Sequence, residues 1–222
     1  MQPWRTVASL DTPDGLLELR QRGAADFLIV SGGRVLMSSA ARRSEEALAT
    51  RALAALGPRP APRVLVSGLG MGVTLRAALE VLPRRARVTV VELHAAIVTW
   101  CRGPLAPVTR HALADPRVDV RVADVARTIA DARPAAFDAI LLDLYEGPYA
   151  VTQAADDPFF GPTALAAAHA ALAPGGALAI WSEEIDPAFA RRLAAARFTV
   201  ATHREGHGGR RHVVYIGQKS GT

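Results

Sequence analysis

Hydrophobic positions follow two different patterns on either side of a proline-rich stretch, Gly57-Pro58-Arg59-Pro60-Ala61-Pro62. Three prolines in five residues cannot continue a helix, so the stretch divides a small N-terminal part, residues 1–57, from the remainder, 58–222. In the first part, short alternating runs predict strands at Leu16–Leu19, Phe27–Val30 and Val35–Met37, with Asp14-Gly15 and Gly32-Gly33 as turns. Ser44-Glu45-Glu46-Ala47 then opens a helix that runs to about Leu56, with acids in its first turn. In the second part, strands and helices alternate. Strands are predicted at 64–66, 88–91, 118–122, 139–142 and 177–181. Helices fall between them at 71–81, 95–101, 125–132 and 163–173, the last ended by Pro174-Gly175-Gly176. A helix at 187–196 and strands at 197–201 and 212–217 follow, the last two as an antiparallel hairpin across a Gly-rich loop. Strands this apolar, alternating with helices, predict a parallel sheet covered on both faces.

Composition narrows the function classes. A chain of 222 residues suits one domain with a small appendage. A single cysteine, Cys101, excludes a disulfide framework and a cysteine-based zinc site, and its place on an apolar helix side reads as core. No window approaches the ~18 apolar residues of a membrane span. Met1 to Leu10 lacks the basic-then-apolar order of a signal peptide, so the expected compartment is the cytoplasm. The net charge is +5, but only Lys219 among the 26 cations is lysine and the arginines are scattered. With aromatics at 5%, no basic stripe with interleaved rings exists, and no nucleic-acid surface is expected. The segment His203–His212 holds three histidines in a Gly-rich loop. Metal ligation needs rigid convergence, so this reads as an exposed or substrate-lid loop, and no metal is expected.

Four features carry candidate chemistry. Gly68-Leu69-Gly70-Met71-Gly72 lies between a strand and a helix, where glycines let backbone approach a ligand at a helix N-terminus. Val73 stands where a dinucleotide fingerprint needs a third glycine, and G-x-G-x-G is instead the pattern of S-adenosylmethionine enzymes. Glu92 ends the next strand, 20 residues beyond Gly72, where an acid can accept both ribose hydroxyls. Asp124 ends the third strand and either meets the adenine amino group or caps the helix after it, or both. Asp143 follows the fourth strand at the carboxyl edge of the sheet, where ligands bind in open α/β folds. A carboxylate there can take a proton or hold a cationic nucleophile. Around it gather Tyr145, Glu146, Tyr149, Asp156 and Asp157 in one loop and Trp181, Ser182, Glu183 and Glu184 in another. Acids and aromatics at the reacting edge of a basic protein suit a small cationic amine as acceptor. The competing reading of those acids is helix capping.

Asp115-Pro116-Arg117-Val118 with Asp124, the run Phe137–Asp143, and Leu172-Ala173-Pro174-Gly175-Gly176 resemble the spermidine synthase family, over roughly residues 10–200. Gly32 to Ser39 is similar to that family's β-hairpin lead-in. The resemblance implies an α/β fold: a Rossmann-like, seven-stranded methyltransferase-type sheet in strand order 3-2-1-4-5-7-6, behind a small N-terminal β-hairpin domain. It also implies a homodimer, and the roles of ribose contact for Glu92, adenine contact for Asp124 and catalytic carboxylate for Asp143. Departures concentrate on the polyamine side. Met71 replaces the Asp of G-G-G-D-G-G, Met37 replaces a Gln, Glu46-Ala47 replaces a Tyr-Gln or Tyr-His pair, and Glu146 replaces the second Asp of D-x-x-D. The expectation is therefore a transferase using S-adenosylmethionine, with methyl transfer to a small amine first. Aminopropyl transfer from decarboxylated S-adenosylmethionine is the alternative, and a non-catalytic nucleoside-binding module is a third reading.

Overall fold

A computed structural model describes residues 2–13, 15–144, 147–148, 156–205 and 212–221. Four strands, β1 (Arg5–Thr12), β2 (Gly15–Arg22), β3 (Asp26–Ser31) and β4 (Arg34–Ser38), form an antiparallel sheet in chain order. Helix α1 (Arg43–Leu56) leads to a seven-stranded sheet. Its parallel strands are β5 (Arg63–Ser67), β6 (Arg87–Glu92), β7 (Val118–Val122), β8 (Phe137–Leu142) and β9 (Leu172–Ser182). The hairpin β10 (Thr199–Glu205) and β11 (His212–Gln218) completes it, with order β10-β11-β9-β8-β5-β6-β7. Read from the other edge, that is the strand order the resemblance implies.

Period-two alternation gives each central strand two apolar faces. Val64, Val66, Val88, Val90, Ala139 and Leu141 point to one side, under α1, α2 (Val73–Val81) and α3 (Ala95–Arg102). Leu65, Val91, Ile140, Leu142 and Leu178 point to the other, under α4 (Val125–Ala130), α5 (Pro162–Ala171) and α6 (Pro187–Ala195). The first core is continuous with the small sheet. Leu17, Leu19, Phe27 and Ile29 pack in it together with Leu48, Ala49, Ala52 and Leu53 of α1. The proline-rich stretch between is pinned by the buried Asp138, whose carboxylate accepts from Arg59 Nη1 at 3.0 Å and from Arg63 backbone N at 2.8 Å.

Three segments differ from the sequence expectation. Strand β1 carries no apolar alternation because it is exposed along nearly its whole length, and main-chain pairing with β2 defines it. Two 3₁₀ turns, Ala106–Thr109 and Ala112–Ala114, fill the gap between α3 and β7. Helix α5 stops at Ala171, so Leu172 to Gly176 lies in β9, with Gly175 left-handed at φ 70°.

Candidate active site

All parallel strands end at one edge of the sheet, so the residues that follow β5, β6, β8 and β9 share one neighbourhood. A cleft of about 620 Å³ lies there. The small sheet contributes Ile29, Leu36 and Met37 to one wall, and Gly68, Gly70, Glu92, Asp143, Trp181 and Glu183 contribute to the other. Gly68, Gly70, Glu92 and Asp143, widely separated in sequence, are brought together. Gly72 stands one step behind, as the left-handed N-cap of α2, with a Cβ position only 3.0 Å from Thr109 Cγ2.

The glycine loop is locked. Gly68 has φ +76°, and a Cβ there would lie 2.1 Å from the Asp143 carbonyl oxygen. Leu69 N donates to Glu92 Oε2 and His94 N to Glu92 Oε1, each at 2.9 Å. The buried Glu92 therefore organises the loop as well as lining the cleft. A carboxylate has about four acceptor directions, so these two bonds leave room for ribose hydroxyls. Met71 N donates to Met37 Sδ at 3.1 Å, and Gly72 N donates to Leu69 O at 2.6 Å. Cys101 Sγ reaches Gly70 O at 3.2 Å; burial, then the charge of Glu92, pushes its thiol up to about 12, which keeps it inert.

Met71 corrects an expectation. Its side chain is fully buried in the core, because Gly70 and Gly72, both at positive φ, turn it inward. Position 71 therefore does not line the cleft. Three of the loop's N–H groups are already engaged, Leu69 N with Glu92, Met71 N with Met37 and Gly72 N with Leu69 O. The Met37 sulfur also lies 2.8 Å from the place of a Cβ on Gly70.

Asp143 sits beside this loop. Its backbone N donates to Ser67 O at 2.9 Å, and its Oδ2 accepts from Thr74 Oγ1 at 2.5 Å. Burial, then the negative charge of Glu45, raises its pKa to about 7, against the opposing Thr74 hydrogen bond. Glu45, in sequence only a first-turn acid of α1, lines the cleft. Ser44 Oγ donates to Glu45 Oε2 at 2.7 Å, and His212 Nδ1 lies 2.9 Å from Ser44 Oγ. The His212 ring in turn packs edge-on against Trp181 at 4.9 Å. The missed signal was the acid pair Glu45-Glu46 on a helix leading directly into the glycine-loop strand.

On the β9 side, Trp181 lines the cleft and its buried Nε1 has no acceptor among the described residues. Glu183 lies 3.6 Å from Arg34 Nη2 across the cleft. Several other acids take the capping alternative. Asp157 Oδ1 accepts from Phe159 N and Phe160 N, at 2.8 and 2.7 Å. Asp124 Oδ1 accepts from Ala126 N at 2.7 Å and Arg127 N at 3.2 Å as the N-cap of α4. Asp124 is exposed and does not line the cleft, and Asp156 and Glu184 are likewise exposed outside it. Tyr145, Glu146 and Tyr149 lie outside the described residues, as does most of the loop between His203 and His212. Among the described residues no three His, Cys, Asp or Glu converge as a metal site, and no helix is long and apolar enough to cross a membrane.

This edge-on cleft, beneath a seven-stranded sheet with a small β-sheet over it, is the architecture of a class I S-adenosylmethionine-dependent methyltransferase-like fold. Within that class the fold is the one seen in spermidine synthases. The structure of spermidine synthase from Thermotoga maritima superposes with a TM-score of 0.76 at 18% identity, over 97% of this chain and 73% of that one. A spermidine synthase in complex with the transition state analogue AdoDATO gives the same values. A probable spermidine synthase from Corynebacterium glutamicum gives 0.67 at 22% identity, over 97% and 80%. No sequence-family model matches the chain, and no curated protein matches it in sequence.

Proposed function

We propose that the chain is an aminopropyltransferase, moving the aminopropyl group of decarboxylated S-adenosylmethionine to a small cationic amine. The observation that carries the reading is Asp143, a carboxylate at the ligand-binding edge of the sheet whose pKa is raised to about 7. An amine acceptor must lose a proton to become a nucleophile, and a base poised near neutrality is suited to take it.

The residues fit such a donor. Glu92 faces the place of a ribose, and Leu93, 60% exposed at the cleft, and Ile97 offer apolar surface to a base. Asp124 is assigned the adenine amino group on the resemblance alone. When bound, the donor supplies a sulfonium-activated carbon, to which the amine nitrogen bonds as the carbon–sulfur bond breaks and its electron pair returns to sulfur as a neutral thioether. Asp143 receives the proton released from that nitrogen. Trp181 and Glu183 hold the remaining positive charge of the acceptor by cation–π and ionic contact. Tyr145, Glu146 and Tyr149 are assigned to the same acceptor site.

Methyl transfer, the first expectation from sequence, is the weaker reading. The substitution at position 71 carries little weight for it, because Met71 lies in the core and does not line the cleft. The solved neighbours favour the aminopropyl alternative. A non-catalytic module would have no use for a half-buried, destabilising carboxyl at Asp143. A cytoplasmic homodimer, and a division of the chain at residues 57–58, are carried forward with the proposal.

The test is side-by-side titration of the two sulfonium ligands, then incubation with putrescine and mass detection of products. Tighter binding of the decarboxylated ligand and formation of spermidine are expected. Tighter binding of S-adenosylmethionine, with a methylated amine as product, overturns the reading.

A further inference from the structure

The cleft divides at Asp143. Over β5 and β6 lie the glycine loop and Glu92, the donor side, and over β9 lie Trp181 and Glu183, the acceptor side. Glu45 stands where the two sides meet. Its carbonyl oxygen lies 3.4 Å from Thr74 Oγ1, in the first turn of α2, and the same hydroxyl bonds Asp143 Oδ2. Ser44 donates to the Glu45 carboxylate and lies 2.9 Å from His212, whose ring packs on Trp181 of the acceptor side.

Glu45 also stands apart from most glutamates of the chain. Glu18, Glu46, Glu80, Glu183 and Glu205 each pair with an arginine. Among the described residues neither Glu45 nor Asp143 forms an ion pair, although the protein carries an excess of cations. Two neighbouring carboxylates at a half-buried site repel one another unless a cation joins them. In the same cleft, the Trp181 N–H also has no acceptor among the described residues.

We infer that Glu45 selects the donor: it accepts the terminal ammonium of the decarboxylated sulfonium side chain, and its charge rejects the form that keeps a carboxylate. The inference rests on the aminopropyl-transfer reading. It places that discrimination on α1, in a chain where residue 71 is packed into the core. Asp143 is left free for the acceptor's proton, because the donor's ammonium has its own counter-charge.

The experiment compares wild type and Glu45→Gln by calorimetry with three ligands: decarboxylated S-adenosylmethionine, S-adenosylmethionine, and methylthioadenosine, which lacks the charged tail. Wild type is expected to prefer the decarboxylated ligand. Loss of a charged acceptor should weaken that ligand about ten- to a hundred-fold in Glu45→Gln, while methylthioadenosine binding is unchanged and discrimination against S-adenosylmethionine shrinks. Glu45→Asp keeps the charge and should fall between the two, which guards against a glutamine variant that folds poorly. Unchanged discrimination in a Glu45→Gln protein that still binds methylthioadenosine overturns the inference. So does a variant whose only defect is a raised KM for putrescine, because the seated ammonium is then the acceptor's. A wild type that prefers S-adenosylmethionine overturns the aminopropyl reading itself, and that result appears before any variant is made.

Discussion

The two halves of the cleft are built on opposite physical terms. At the β5–β6 corner most polar groups are satisfied within the chain, the buried Ser67 Oγ being an exception. Three loop N–H groups have partners, Glu92 bridges loop and strand, and glycines stand where a Cβ would strike backbone or a packed side chain. At the β8–β9 corner polar groups are left under tension. Asp143 is half-buried beside a second acid, the Trp181 N–H lacks an acceptor among the described residues, and Glu183 reaches across to Arg34. A preorganised corner holds a ligand at little further cost in ordering. A corner with unpaired charge spends folding stability to keep a reactive group poised. Under the proposed aminopropyl transfer, the first corner is assigned the nucleoside and the second the chemistry.

The largest break in that contrast comes from Asp143→Asn. It preserves shape and removes the base, so turnover should fall about 10²–10⁴-fold, with methylthioadenosine affinity unchanged by calorimetry. Stability should move the opposite way. Asp143 in the unfolded chain ionises near pH 4, whereas in the folded protein it keeps its proton to about 7. Between those values the folded state binds more protons, so this group lowers stability as pH rises and its effect levels off above 7. The asparagine variant should therefore melt higher than wild type at pH 8, with the gain gone below pH 4. Scanning calorimetry across pH checks the sign; a variant less stable at pH 8 means that Asp143 is a structural capping group.

Gly68→Ala attacks the locked corner instead. The added methyl would sit 2.1 Å from the Asp143 carbonyl oxygen in a left-handed residue. Overpacking and left-handed strain together should cost roughly 2–5 kcal/mol. Because the clash falls on the Asp143 backbone, nucleoside binding and turnover should both suffer, unlike in Asp143→Asn. A native-like melting temperature would show that the loop has slack.

The same contrast governs what could be read from sequence. The β5–β6 corner is legible because its chemistry is local: a strand, glycines, a helix, and an acid at the end of the next strand. Asp143 is legible from its place after an apolar strand. Glu45 is not, because its meaning comes from packing of α1 beside α2, which brings it to an acid far along the chain. Position 71 misleads for the opposite reason. Its sequence context is a ligand loop, but flanking glycines at positive φ send the side chain into the core. Strand β1 escapes detection because an exposed edge strand needs no apolar face.

Glu92→Ala tests whether the buried acid serves the loop, the ligand or both. Hydrogen bonds to a charged group contribute roughly 1.5–3 kcal/mol, so nucleoside affinity should fall about ten- to a hundred-fold. Leu69 N and His94 N also lose their acceptor, and the melting temperature should drop with the affinity. Glu92→Gln keeps one acceptor oxygen and should recover part of the stability. A variant that melts lower yet binds methylthioadenosine as wild type does would confine Glu92 to the loop.

The smallest effect is expected at Asp124, and there the two roles separate cleanly. Its carboxylate caps α4 through Ala126 N and Arg127 N, while its proposed adenine contact has no counterpart in the cleft lining. Serine caps a helix about as well as aspartate, whereas alanine forfeits about 1 kcal/mol. Asp124→Ser should therefore melt like wild type, and Asp124→Ala should melt lower. Serine is also shorter and uncharged, so it cannot replace aspartate at a base. If Asp124 reaches the adenine amino group, both variants should lose nucleoside affinity by about two- to ten-fold, the scale of one hydrogen bond. If affinity stays constant in Asp124→Ser, the residue serves the helix alone. The adenine is then held by apolar contact with Leu93 and Ile97, and the locked corner's polar recognition ends at Glu92.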